Sequence, residues 1–268
     1  MAFERLLARL LVVSRERWVL EGGLALAFRL GTTSRTTLDI DIARAGDEER
    51  ATEDFRRAQQ LDLGDHVRFA IEGPRGVGLQ GRARVARYGV RVDLANRRFD
   101  AFSVDVAFEA VTPHPEILIV ANPILVGVGL APLAVPIFPV EDHVAQKLHA
   151  YTRLRGAAGR QSTRVKDLID LVLIARAQPF QEQRLRAALA FVFAGTTPPI
   201  AVPPPPRDWG IPYARLARQV GLDPDASAAH AAVARFLGPV LDGTAGDGTR
   251  WEPTAGRWER AASPVTEE

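Results

Sequence analysis

The chain contains 268 residues, of which 47% are apolar and 25% are charged, with a formal net charge of +2 and no cysteine. This composition excludes intrinsic disorder as the default state, and the lack of cysteine excludes disulfide frameworks, thiolate metal sites and cysteine nucleophiles. With no run of about 18 uncharged apolar residues and no signal-peptide profile at the N-terminus, the sequence predicts a cytoplasmic protein that does not span a membrane.

The first half of the chain alternates helices with short strands. Hydrophobic periodicity predicts a helix over 3–13, a strand over 18–20, a helix over 24–30, a strand over 38–42, a helix over 48–60 and paired strands over 90–94 and 102–106. In the strand over 38–42, Leu38, Ile40 and Ile42 are expected to face a core. Asp39 and Asp41 then share the opposite face.

The second half of the chain is helical. Helices are expected over 140–151, 164–177, 181–194, 213–221 and 226–237, with a polyproline-type connector over 203–206. The final stretch, rich in Gly, Thr and Glu, is expected to form a flexible tail, with Trp251 and Trp258 as the residues that could hold it against the rest of the chain. We therefore predict an α/β (α+β) protein with one domain over 1–138 and a helical C-terminal domain over 139–268.

The most informative motif pairs Gly22-Gly23 with Asp39-Ile40-Asp41. Carboxylates at alternate positions of a strand lie about 6–7 Å apart on one face. They repel each other unless a cation lies between them, and oxygen ligands of this kind suit Mg²⁺. The diglycine allows a phosphate to approach the backbone N–H groups of the following helix. Together these features indicate phosphoryl or nucleotidyl transfer, whereas the aspartates alone could belong to a solvated sheet edge.

A third carboxylate is expected from a neighbouring strand. Asp93 and Asp105 both qualify by alternation. The opposite face of the strand around Asp105 is entirely apolar, which indicates a central, buried strand, so we favour Asp105.

Polar residues also occur on the helices of the second half. Lys147 lies beside the buried stripe of one helix, and the next helix carries Lys166, Asp167 and Asp170. Asp167 is expected on the exposed side and Asp170 in the core. A buried carboxylate requires a partner, which Lys166 or an arginine could supply. We weigh this structural role of Asp170 equally with a catalytic role.

A basic run, Arg153 to Lys166, separates these two helices. It includes Arg155, Arg160 and Arg164. Such a run is either a solvated loop or a clamp for a triphosphate or an RNA backbone.

Several segments carry a resemblance to a known family. They are 20–26 around the diglycine, 34–41 with its Asp-Ile-Asp, 102–106 with Asp105, 141–151 with Lys147, and 164–171 with its Arg-Val-Lys-Asp-Leu-Ile-Asp-Leu. In these segments the sequence resembles the AbiEii/AbiGii-type nucleotidyltransferase toxins of the DNA polymerase β-like superfamily. The resemblance departs from the family pattern at Leu24, where a small hydroxyl residue is common, and at Glu21, where a basic residue is common.

The resemblance implies a polymerase β-like nucleotidyltransferase domain with a mixed sheet flanked by helices, followed by a helical domain. It implies two Mg²⁺ ions as cofactors, held by Asp39, Asp41 and Asp105, and an NTP substrate. Lys147 then contacts phosphate and Asp167 is the acidic residue of the last motif, with Asp170 as its rival. The residues implied around the nucleotide are Gly22, Gly23, Arg35, Lys147, Arg164 and Lys166.

Toxins of this kind extend the 3′ acceptor end of tRNA and are neutralised by a cognate antitoxin, so the implied partners are an RNA acceptor and an antitoxin protein. Two alternatives remain at this point. The acceptor could be a small molecule or a protein, or the chain could be an inactive module that binds a nucleotide or a partner.

Overall fold

Residues 1–80, 83–108, 115–153 and 164–260 are described by a computed structural model of the chain. Arg155 and Arg160 of the basic run lie outside these residues. The chain divides into unit 1, residues 1–31 and 36–139, and unit 2, residues 32–35 and 140–268.

Unit 1 contains a mixed β-sheet flanked by helices. Its helices are α1 (Ala2–Ser14), α2 (Gly22–Leu30), α3 (Glu48–Gln60) and α4 (Pro123–Gly127), and its strands are β1 (Trp18–Glu21), β2 (Asp39–Arg44), β3 (Val67–Glu72), β4 (Val77–Gln80), β5 (Ala83–Leu94), β6 (Arg97–Phe108), β7 (Glu116–Val120) and β8 (Leu133–Ile137). The strand order is β3-β5-β6-β2-β1-β8-β7, with β4 also paired to β5. Strand β2 is parallel to β6 and β1 is parallel to β8, whereas the other pairs are antiparallel. The predicted mixed sheet is thereby confirmed.

One face of this sheet carries the main core of unit 1. Ile40 and Ile42 of β2 are completely buried there, and Leu6 of α1 and Phe55 of α3 belong to the same cluster. The prediction that Leu38 also faces the core is wrong, because its side chain is 75% exposed. Strand β2 begins only at Asp39, so Leu38 precedes the paired residues. We call the opposite face of the sheet the polar face.

Unit 2 is mainly helical. Its elements are α5 (Val140–Thr152), α6 (Val165–Ala177), β9 (Phe180–Gln181), α7 (Glu182–Val192), α8 (Gly210–Gln219), α9 (Ala226–Leu241), β10 (Thr249–Glu252) and β11 (Arg257–Arg260). Helix α6 is apolar on nearly all sides, and its Leu168, Ile169 and Ile174 are completely buried. No helix among the described residues combines the length and the apolar character needed to cross a bilayer.

The C-terminal stretch differs from the flexible tail that the sequence predicted. Strands β10 and β11 form an antiparallel hairpin, and β10 also pairs with β9. Trp251 is buried, and its indole Nε1 donates a hydrogen bond to the carbonyl oxygen of Ala175 at 2.7 Å. Burial of a large indole whose N–H is hydrogen-bonded explains why this segment, although rich in polar residues, is packed as far as Arg260.

Candidate active site

A row of polar side chains crosses the polar face of unit 1. Asp41 of β2 pairs in register with Glu21 of β1 on one side and with Asp105 of β6 on the other. Asp105 in turn pairs with Arg87 of β5. Because residues in register on adjacent strands project from the same face, these four side chains form a continuous row.

Asp39 lies next to this row. It is two residues before Asp41 on β2, so both side chains are on the same face, and it pairs in register with Ser103 of β6. Asp39 is exposed, whereas Asp41 and Asp105 are half-buried. The sequence prediction that these aspartates share one face therefore agrees with their positions in the sheet.

Gly22, the first residue of α2, makes close contact with Asp41. Its φ is +67°, and a Cβ placed on Gly22 would lie 2.1 Å from Asp41 Oδ2. Only a residue without a side chain allows both this conformation and this approach. Gly23 follows in the first turn of the same helix, where backbone N–H groups are available to an anion. The diglycine therefore brings the start of α2 against the Asp41 carboxylate.

The strand that carries Asp39 and Asp41 is fixed from its other end. Arg44, the last residue of β2, is completely buried and forms an ion pair with Asp54 of α3, with Nη2 2.6 Å from Oδ2. Ile40 and Ile42 anchor the strand in the core. The two carboxylates therefore lie on a rigid strand rather than on a loop.

Asp105 is held by Arg87 through two hydrogen bonds. Arg87 Nε donates to Oδ1 and Nη2 donates to Oδ2, each at 2.6 Å. The side chain of Arg87 is 58% exposed and that of Asp105 is 16% exposed. Hydrogen bonding and charge from Asp105, with further charge from Asp39 and Asp41, raise the pKa of Arg87 above its usual range. One guanidinium thus faces three carboxylates.

The sequence suggested a tight cluster of three carboxylates, and the structure differs on this point. Among the described residues, no group of three or more His, Asp or Glu side chains is close enough together to hold a metal ion. Asp105 is instead directed to Arg87. The donor chemistry nevertheless fits a hard divalent cation, because such cations prefer oxygen ligands and each carboxylate oxygen has a second lone pair.

Arg87 was not identified from the sequence. A β-bulge between Val92 and Asp93 shifts the register of β5 against β6. Counting back from the turn without that bulge would place Ala86 opposite Asp105. Period-two alternation gives the face of a residue but not the register, so the sequence carried no clear signal for this pair.

Unit 2 contains a second group of charged residues, and it is buried. Lys147 of α5 places its Nζ 2.9 Å from Asp170 Oδ2 and 3.3 Å from Asp167 Oδ1, both on α6. Arg35 donates from Nε and Nη2 to the two oxygens of Asp170 at 2.9 and 3.0 Å. Arg164 Nε lies 3.1 Å from Asp167 Oδ2. Of the predicted residues, Arg35, Lys147, Arg164, Asp167 and Asp170 are therefore brought together in this unit.

One sequence prediction about this group is wrong and another is confirmed in part. Asp167 was expected on the exposed side of α6, but its side chain is completely buried against Lys147 and Arg164. The sequence predicted Lys166 or an arginine as the partner of Asp170. The arginine is confirmed as Arg35, whereas the second partner is Lys147 and Lys166 is exposed. Contacts between α5 and α6, rather than spacing within α6, decide which cation each carboxylate meets.

The pKa values reflect this pairing. Burial opposes the charge of both Lys147 and Asp170, but their mutual attraction outweighs it, so the pKa of Lys147 is raised and that of Asp170 is lowered. Although Lys166 is exposed to solvent, the protein around it removes part of its hydration, and this desolvation, together with the charges of Arg35, Arg164 and Lys147, lowers the pKa of Lys166. The surroundings of Lys166 thus have a surplus of positive charge.

Comparisons with solved structures agree with this fold. MenT4, a nucleotidyltransferase toxin from Mycobacterium tuberculosis H37Rv, superposes with a TM-score of 0.57 at 22% identity, covering 90% of this chain and 81% of that one. A putative nucleotidyltransferase from H. pylori superposes with a TM-score of 0.51 at 16% identity, covering 91% of this chain and 96% of that one. No curated protein sequence matches the chain.

The family assignment rests on the sequence as a whole. The model of the AbiEii toxin family, described as nucleotidyl transferase toxins of type IV toxin–antitoxin systems, matches residues 5–238. This range includes every residue of the polar row and of the buried group in unit 2. The chain is therefore a nucleotidyltransferase that belongs to the AbiEii toxin family of type IV toxin–antitoxin systems.

Proposed function

We propose that the protein transfers a nucleoside monophosphate from an NTP to a hydroxyl of an RNA acceptor, the 3′ end of tRNA, in a Mg²⁺-dependent reaction. The observation that carries this proposal is the register of Asp41 and Asp105 on adjacent parallel strands, with Gly22 packed against the Asp41 carboxylate. Carboxylates beside an accessible helix N-terminus can serve both parts of a nucleoside triphosphate complex, the metal and the phosphates.

Asp39, Asp41 and Asp105 are the proposed ligands of two Mg²⁺ ions. When bound, these ions supply neutralisation of the charge that develops on the phosphate oxygens during transfer. Arg87 balances part of the carboxylate charge in the absence of metal and keeps Asp105 oriented along the row. The N–H groups of Gly22 and Gly23 bind a phosphate of the NTP, since neither residue has a side chain that blocks its approach.

Lys147 is proposed to bind a phosphate, the role that the family resemblance implies for it. Its ammonium has three N–H donors, and two of them face Asp170 and Asp167, which leaves one for a phosphate oxygen. Asp167 and Asp170 position this ammonium. Arg35, Lys147, Arg164 and Lys166 are the proposed positive charges around the polyphosphate, because Arg and Lys side chains form strong charge-assisted hydrogen bonds with phosphate oxygens.

The proposed chemistry is an in-line displacement. The acceptor hydroxyl oxygen forms a bond to the α-phosphorus and gives up its proton to solvent water, while the bond between the α-phosphorus and the oxygen bridging to the β-phosphate breaks. Pyrophosphate leaves. The protein contributes by positioning the two reactants and by compensating charge, which is the main source of rate in phosphoryl transfer.

The proposed biological consequence is that of a toxin acting in the cytoplasm, where tRNA and NTPs occur together. A nucleotide added to the acceptor end prevents aminoacylation and blocks translation. A cognate antitoxin protein relieves this block.

The test is transfer from labelled nucleotides. Purified protein is incubated with each α-labelled NTP, Mg²⁺ and total RNA, and the products are separated into tRNA, other RNA, protein and small molecules. We expect label in tRNA with release of pyrophosphate, both lost on removal of Mg²⁺ with EDTA. Label only in protein or small molecules contradicts the RNA acceptor, and the absence of any pyrophosphate contradicts the transfer reaction.

Matched aspartate variants test the assignment of the metal ligands. Asp39→Ala, Asp41→Ala and Asp105→Ala are each expected to abolish transfer while the protein remains folded. Glu53→Ala, an exposed carboxylate of α3 on the core side of the sheet, is the control and is expected to keep wild-type turnover. Normal turnover in Asp41→Ala contradicts the assignment.

A further inference from the structure

A series of arginine side chains leads away from the polar row of unit 1. Beyond Arg87 the polar face carries four more arginines. Arg75, from the loop before β4, lies over Gly89, Arg91 of β5 is two residues further along, and Arg68 of β3 and Arg98 of β6 both pair with Asp93. We call these four arginines the arginine stripe. All four are exposed, and the catalytic proposal above uses none of them.

Arg75 reaches this face because the loop before β4 folds over β5. Its backbone N–H donates to the carbonyl oxygen of Arg87 at 2.7 Å. A Cβ placed on Gly89 would lie 3.5 Å from Arg75 Cζ, so the guanidinium lies directly over Gly89. Gly89 is midway between Arg87 and Arg91 on β5. The side chain of Arg75 therefore fills the gap in the series that the glycine leaves.

Arg75 and Arg91 are oriented by a shared carboxylate. Glu72 of β3 pairs in register with Gly89, and its two oxygens contact Arg75 Nη2 and, at 2.9 Å, Arg91 Nη2. The side chains of Arg75 and Arg91 are 64% and 59% exposed. Both guanidinium groups are therefore held in place on the sheet while most of their surface remains available to a ligand.

Arg68 and Arg98 complete the far end of the stripe. Both pair in register with Asp93, Arg68 from β3 and Arg98 from β6. The stripe thus contains four guanidinium groups against the two carboxylates of Glu72 and Asp93. From Arg87 to Asp93 is six residues of extended strand, or about 20 Å.

We propose that the arginine stripe binds the phosphates of the RNA strand whose hydroxyl is the acceptor. The identification of this strand as the acceptor rests on the proposed function. A surface of this length, with positive groups at intervals along a strand, fits a polymer with regularly spaced negative charges. A free triphosphate is too short to span it. Because the stripe ends at the Asp105–Arg87 pair, a strand bound along it ends beside the proposed metal ligands.

The test measures RNA binding without turnover. Binding of a short fluorescein-labelled single-stranded RNA to the full chain is followed by anisotropy over a range of salt concentrations, without Mg²⁺ or NTP. The double variant Arg75→Ala/Arg91→Ala is expected to bind roughly tenfold more weakly. Loss of two phosphate contacts should also make the slope of log K against log salt shallower by about 1.4.

Arg50→Ala/Arg56→Ala is the matched control. These two arginines of α3 are 66% and 68% exposed, each is also ion-paired with a carboxylate, and α3 covers the core face of the sheet. The control pair is expected to bind RNA like the wild type. Equal affinity in the two double variants would overturn the proposal.

A third variant moves the affinity in the opposite direction. Glu72→Gln removes one negative charge from the stripe and is expected to tighten RNA binding roughly threefold. Unchanged or weaker binding in Glu72→Gln counts against the stripe even if the double variant fails to fold.

The binding and transfer experiments fail separately. Weaker RNA binding by Arg75→Ala/Arg91→Ala without any transfer activity in the wild type supports the stripe and contradicts the proposed function. If the wild type transfers nucleotides to RNA but the double variant binds RNA as tightly as the wild type does, the proposed function is supported and the stripe is contradicted.

Discussion

Two carboxylate–arginine pairs in this protein have nearly the same geometry and different surroundings. Asp105 receives two hydrogen bonds from Arg87 at 2.6 Å, and Asp170 receives two from Arg35 at 2.9 and 3.0 Å. The Arg87 side chain is 58% exposed, whereas the side chains of Arg35 and Asp170 are only 14% and 3% exposed. The first pair lies on a sheet face and the second within a helical core.

The difference shows how burial determines the number of charged partners that each group requires. Charges removed from water must be balanced by partners, so Asp170 also meets Lys147, and Lys147 also meets Asp167. On the sheet face, water screens the charges of Asp105 and of the exposed Arg87, so fewer direct partners are needed there. We infer that the buried group contributes stability and positions Lys147, whereas the exposed row is left able to take up a cation.

The largest effect expected from breaking one pair is on unit 2. Asp170→Asn leaves Arg35 and Lys147 buried with one carboxylate fewer, so we expect the free energy of unfolding to fall by about 3–5 kcal/mol. The matched variant Asp105→Asn should change it by less than about 1 kcal/mol, because its partner is largely exposed. Urea denaturation measures both free energies of unfolding. Equal losses in the two variants would contradict the greater contribution of the buried pair to stability.

The dependence of stability on pH gives a second test of the buried pair. The pKa of Asp170 is lower in the folded protein than in the unfolded chain, so its stabilising contribution is complete above the unfolded value near 3.9 and is lost as pH falls through the folded value. A proton taken up only on unfolding gives a slope of about 1.4 kcal/mol per pH unit. Stability measured between pH 5 and 2 should fall less steeply in Asp170→Asn than in the wild type. Parallel curves would contradict this role of Asp170.

A substitution at Gly22 tests the exposed row. Gly22→Ala forces a side chain into the space of Asp41 Oδ2 at a φ of +67°, so we expect a loss of about 2 kcal/mol in stability. Gly221→Ala, after the end of α8, is the control, because its φ is also +67° with nothing within 4 Å of the added Cβ, and it should cost only about 1 kcal/mol. Thermal unfolding compares the two variants. Identical losses would mean that the contact with Asp41 is not restrictive.

The smallest effect is expected at Arg87. Arg87→Gln removes an exposed ion pair and should change the stability of the metal-free protein by less than about 1 kcal/mol. It also removes the guanidinium that competes for the carboxylates, so Mg²⁺ should bind roughly threefold more tightly in a calorimetric titration. Weaker Mg²⁺ binding in this variant would show that Arg87 supports the metal site rather than competing with it.

The sequence by itself determined the elements and the candidates. Alternation of Ile40 and Ile42 with Asp39 and Asp41 identified both the strand and its polar face, and helical periodicity located α5 and α6. The residues around the diglycine, Lys147 and Asp167 carried the family resemblance that the family model confirms. These features are local, because a few neighbouring residues encode periodicity and motif.

Tertiary structure decided the partners. The bulge at Phe99 of β6 made Arg87 rather than Ala86 the neighbour of Asp105, and the packing of α5 on α6 paired Asp170 with Lys147 rather than with Lys166. Burial of Trp251 ordered a segment that composition indicated to be loose. Each outcome depends on contacts between residues from different elements. The free energy of such contacts depends on both partners, so no single stretch of sequence determines it.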